Sequence, residues 1–127
     1  MDANKYLLLQ LLIYHMDIEI AHVDEIVCDL RERVGKCRDR IIMYDAMIDR
    51  NKQGIARLNR AYGFPVGSDA HADRIALRSE VERRHIQRRD AESDRSLKLD
   101  RQISRASKDI KELRDAKGHL ITLLTSA

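Results

Sequence analysis

Turn formers are nearly missing from this sequence, which has one Pro and five Gly in 127 residues. A β-sandwich or barrel needs a turn signal every ~8–12 residues, so both are excluded. Aromatic residues make up only 4%, with no Trp and a single Phe. Cysteine is scarce as well. Cys28 and Cys37 lie on predicted helix and make no paired-cysteine metal motif. Such isolated thiols suit a reducing compartment. Met1-Asp2-Ala3-Asn4-Lys5 lacks the basic n-region of a secretory signal. The apolar stretch from Tyr6 to Met16 is interrupted by Gln10 and His15 and falls short of the ~20 residues of a membrane span. The expectation is a cytoplasmic protein.

Charge is abundant. Charged residues make up 35% of the chain, against roughly 25% in an average domain. The 24 Lys and Arg nearly cancel the 21 Asp and Glu, for a net charge of +3. Nucleic-acid binding draws on concentrated positive charge that releases counterions, and here the signs are interleaved. The run Glu82-Arg83-Arg84-His85-Ile86-Gln87-Arg88-Arg89 suggests a basic DNA-reading helix, but Asp90, Glu92 and Asp94 follow it and no Asn lies in it. Charge is also polarised along the chain. Residues 1–30 hold one base (Lys5) and six acids (Asp2, Asp17, Glu19, Asp24, Glu25, Asp29), so they are net −5. Residues 31–62 hold nine bases and four acids, net +5.

Only one segment reads as a break, Gly63-Phe64-Pro65-Val66-Gly67-Ser68-Asp69. Gly63 suits a helix C′ position. Pro65 keeps Phe64 out of helical geometry. Ser68 or Asp69 can cap the helix that follows. The break predicts a helix over 3–60, a turn over 63–69 and a helix over 69–125.

The first arm carries an uninterrupted heptad. Position a is Tyr6, Ile13, Ile20, Val27, Val34, Ile41, Ile48, Ile55 and Tyr62; position d is Leu9, Met16, Val23, Leu30, Cys37, Tyr44, Asn51 and Leu58. Asn51 is the plainly polar member. It either fixes the register or marks where the pairing loosens. Gly35 and Gly54 fall at b and g, off this seam. A strict 3.5-residue repeat over roughly 85 Å of helix has no core of its own and must bury its stripe against another helix. The second arm has a clean seam late, at Leu99, Ile103, Ala106, Ile110, Leu113, Leu120 and Leu124, interrupted by Lys117. Earlier it has Ile75, Leu77 and Val81. Between them, Glu82 to Ser96 offers only Ile86 and Ala91. The fold class is therefore all-α, two long helices in an antiparallel coiled-coil hairpin.

Doubling the chain at the break puts residue i opposite roughly residue 131 − i. Val27 and Leu30 then meet Ile103 and Ala106. Cys37, Ile41, Tyr44 and Ile48 meet the charged segment Arg83 to Asp94. Two outcomes remain open there. Ile41, Tyr44 and Ile48 form a bare stripe for a partner or a second copy, or Arg stems cover them. At the terminal end, Tyr6-Leu7-Leu8-Leu9-Gln10-Leu11-Leu12-Ile13-Tyr14 and His119-Leu120-Ile121-Thr122-Leu123-Leu124 are apolar nearly all round. A two-helix seam buries only a and d. Tyr6, Leu8, Leu11, Leu12, Ile121 and Leu123 are thus the candidate partner-binding tip.

No catalytic constellation is found, and no cofactor is implied. Gly35-Lys36 lacks a glycine-rich approach for phosphate. His15, Glu19 and His22 share a helix face but read as a solvated stripe, so no metal site is assigned. Cys37 at d reads as a small buried hydrophobe. Cys28 at b is exposed, with nothing beside it to activate it.

The two long arms, the Gly63–Asp69 break and the apolar double terminus resemble the stalk family of type III secretion and flagellar export ATPases. The resemblance covers the whole chain at the level of architecture, so no functional residue is carried over from it. It implies a non-enzymatic hairpin whose terminal residues contact a hexameric ATPase at a membrane-embedded secretion apparatus. Residues 31–96 would then face the export gate or chaperones. Small helical export chaperones, which can dimerise, resemble the chain in the same way.

Overall fold

The computed structural model describes residues 2–60 and 69–126. Two helices of 57 residues each account for nearly all of it: α1 (Ala3–Asn59) and α2 (Asp69–Thr125). They form an all-α antiparallel hairpin. The expected turn lies outside the described residues except for Asp69, as does Tyr62 of the seam.

The ends of both helices follow from local chemistry. The Asp2 carboxylate accepts the Asn4 N–H at 2.9 Å, capping the start of α1. Arg57 stands in the last turn of α1 and Asp69 in the first turn of α2, each with the sign that the helix dipole favours. Thr125 donates its hydroxyl to the Ile121 carbonyl at 3.0 Å near the end of α2.

The chain divides into two units. One comprises Met1–Val34 with Lys98–Ala127, and the other Gly35–Leu97. In the first, both helices contribute apolar seam residues. Ile20, Val27 and Ile110 are buried together, with Val23, Ile103, Ala106 and Leu113 packed against them. Ion pairs flank this core. Lys117, the interruption in the α2 seam, is half-buried and pairs with Asp17. Arg114 reaches Asp24 at 3.7 Å. The core pairs Ile20 with Ile110 and Val27 with Ile103, close to the 131 − i register, and the long Lys117 and Arg114 side chains reach Asp17 and Asp24 diagonally across it.

The second unit has a different interior. On α1, Cys37, Ile48 and Asn51 are buried, and Ile41, Tyr44, Ile55 and Leu58 are half-buried. On α2 the heptad continues backwards from Leu99 without a break. It lands on Glu92, His85, Arg78 and His71 in one row, and on Ser96, Arg89, Glu82 and Ile75 in the other. All of these are buried or half-buried except Arg78. An apolar stripe on one helix therefore meets a polar stripe on the other. Leu77, expected in the seam, is 66% exposed instead, because the register turns His71 and Ile75 inward.

Asn51 resolves the choice left by its sequence position. Its Nδ2 donates to the Arg78 carbonyl at 2.6 Å, tying the two helices at one register. Gly54, at a g position off the seam, is buried. The Arg78 guanidinium lies over it, where a Cβ would otherwise project. A methyl group at Gly35 would meet open space. Gly35→Ala is therefore expected to stabilise the chain by about 1 kcal/mol in urea unfolding, the helix-propensity difference. Gly54→Ala is expected to gain less, since the methyl must displace the guanidinium.

Candidate interaction surface

Helical periodicity sorts the terminal residues before any partner is considered. Leu9, Ile13 and Met16 on α1 and Leu120 and Leu124 on α2 are half-buried, as the seam requires. Tyr6, Leu8, Leu11, Leu12, Ile121 and Leu123 are all exposed, between 40% and 58%. Tyr6 is assigned to position a but stands too near the helix end to be covered. Leu7, Tyr14 and Ile18 are exposed as well and were not among the expected tip residues. Their signal was present in the sequence, since b and f positions face away from an a/d seam. Both helix ends belong to the same unit, so this apolar surface is drawn from the start of α1 and the end of α2.

The mid-chain stripe is not bare. Ile48 is only 6% exposed, and Ile41 and Tyr44 are half-buried. Across from the stripe on α2, Glu82, His85, Arg89 and Glu92 are buried or half-buried. The His85 ring lies 6.4 Å from that of Tyr44, centroid to centroid. The exposed apolar residues of this segment are instead Ile42, Met43 and Met47, outside the seam.

Cys37 is fully enclosed, but its surroundings are polar. Arg40 Nη2 lies 3.7 Å from its sulfur. Arg40 Nε stands 3.1 Å from Glu92 Oε1, which also accepts from Arg95 Nη1 at 3.1 Å. Glu92 is itself buried, at 9% exposure. Burial pushes its carboxyl up, but hydrogen bonds from the Cys37 thiol and Arg40, with the nearby Arg95 charge, outweigh that and leave it below the usual carboxylate range. The group is a structural ion cluster within the helix pair, closed to solvent at the thiol.

The basic run is locally compensated. Arg83 and Arg84 both pair with Glu80, whose carboxyl Arg83 and Arg84 hold down at about 2 against a smaller opposing effect of burial. Arg89 reaches Asp45 at 3.2 Å and Asp90 at 3.3 Å. His15, Glu19 and His22 are exposed. Among the described residues, no group of three or more His, Cys, Asp or Glu is arranged to hold a metal ion. Among the same residues, no helix is long and apolar enough to cross a membrane. Comparisons with family models, curated proteins and solved structures return no match to this chain.

Proposed function

We propose that the chain is a non-enzymatic interaction hairpin that docks into a protein partner through its terminal apolar surface. In its most specific form, this is the stalk of a type III secretion ATPase complex serving protein export. The observation that carries the proposal is the bare state of Tyr6, Leu8, Leu11, Leu12, Ile121 and Leu123 on helices whose seams are otherwise paired. A terminus left to fray would ordinarily be polar, whereas a concentration of exposed apolar side chains at one end marks an interaction site. The stalk assignment itself rests on the architectural resemblance.

The combined variant Leu8→Ser/Leu11→Ser/Leu123→Ser tests the proposal. All three side chains are exposed, so helicity by circular dichroism is expected to stay at the wild-type level. Stimulation of a type III secretion or flagellar export ATPase hexamer by the chain is expected to be lost. A stalk acts as a monomer and raises the hydrolysis rate. A chaperone would instead sediment as a stable dimer and capture an export substrate stoichiometrically. Stimulation that survives the triple change would overturn the docking role of the tip.

A further inference from the structure

The exposed residues of α1 are themselves periodic. Leu7, Leu11, Tyr14, Ile18 and Ala21 follow one another at intervals of four, three, four and three, and all are exposed. They form a second 3.5-residue seam along the b and f positions, on the side of α1 opposite the one that packs on α2. A seam of that period stays in contact with its partner only if the partner is also a helix at a shallow crossing angle. The next seam position after Ala21 is Glu25, also exposed. Asp17, Asp24 and Asp29 flank the line, each about half exposed, and two of them also hold Lys117 and Arg114 of α2. No Lys or Arg lies between Tyr6 and Leu30.

We propose that the outer seam of α1 binds an amphipathic helix of another protein, apolar along its own heptad and carrying Lys or Arg beside and at the end of it, with a cation opposite Glu25. Charge selects this occupant. A second copy would bring together two segments that are each net −5, and a parallel pair would stack Glu25 on Glu25. An anionic membrane favours helices with basic flanks, and these flanks are acidic. The inference rests on the reading of the chain as an interaction hairpin, but not on the partner's being an ATPase.

The test uses the full chain and two synthetic helical peptides of about three heptads, both with a Leu seam. One carries Lys at the flanks and at one seam end, the other Glu. Calorimetric titration is expected to show the Lys peptide binding at least about tenfold tighter, with affinity falling as salt rises. The Tyr14→Ser/Ile18→Ser variant is expected to lose at least about tenfold in affinity with unchanged helicity. Glu25→Lys is expected to reverse the preference between the peptides. Equal affinity for both peptides, or binding that persists in the Tyr14→Ser/Ile18→Ser variant, overturns the proposal. So does self-association, or binding to phosphatidylglycerol vesicles, that this variant abolishes. If that variant keeps its peptide affinity while the Leu8, Leu11 and Leu123 changes still remove ATPase stimulation, only this inference fails.

Discussion

Val27→Asp is expected to unfold the hairpin or to lower its melting temperature by more than about 10 °C, read by circular dichroism at 222 nm. Val27 is 5% exposed and packs with Ile20 and Ile110. The side chains it packs with are apolar and offer a carboxylate no hydrogen bond. The carboxylate must either take up a proton or pull the helices apart, at a cost of several kcal/mol. That is a large share of the 5–15 kcal/mol by which a typical domain is stable. Ile42→Asp is the matched control. Ile42 is equally apolar in sequence but 68% exposed, so its substitution is expected to change stability by no more than about 0.5 kcal/mol. Equal melting of the two variants would show the seam to be misassigned.

The second large effect runs in the opposite direction. His85→Leu/Glu92→Leu is expected to raise stability by about 1–4 kcal/mol in urea unfolding, the gain seen when a buried ionic group gives way to apolar side chains of similar volume. Both positions lie in the α2 heptad row, across from the Cys37, Ile41, Tyr44 and Ile48 stripe. The Arg40 and Arg95 side chains are 41% and 60% exposed overall, so both can turn to water, with the buried Arg40 Nε moving outward as they do. Arg40→Ala is expected to destabilise instead, since the Glu92 carboxylate stays buried with less to hold it. A double Leu variant less stable than wild type would mean that the polar row contributes more than its desolvation costs.

The terminal unit was legible because both helices announce their seams. Ile20, Val27, Ile103 and Ile110 recur at heptad spacing, and burial of apolar surface is strong enough to decide which face turns inward. The same rule identified Leu8, Leu11 and Leu123 as residues with no place in a two-helix seam. It also contained the outer row at Leu7, Leu11, Tyr14 and Ile18, which becomes visible only when exposed positions are tested for period as carefully as buried ones.

In the other unit, hydrophobicity could not indicate which face of α2 turns inward. Counting heptads backwards from Leu99 arrives at Glu92 and His85, but polar residues do not reveal that they are interior. Their position depends on partners distant in sequence: Arg40 for Glu92, Asp45 for Arg89, and the Asn51 amide for the Arg78 carbonyl. The cover over Gly54 is of the same kind.

By itself, the sequence determined two long helices, their antiparallel pairing and an apolar end, because a 3.5-residue repeat and one break leave few alternatives. Only the tertiary structure decided that the charged stretch of α2 closes over Ile48 and Cys37. Charge pairing depends on distances between side chains of different helices, and a linear pattern does not carry those distances.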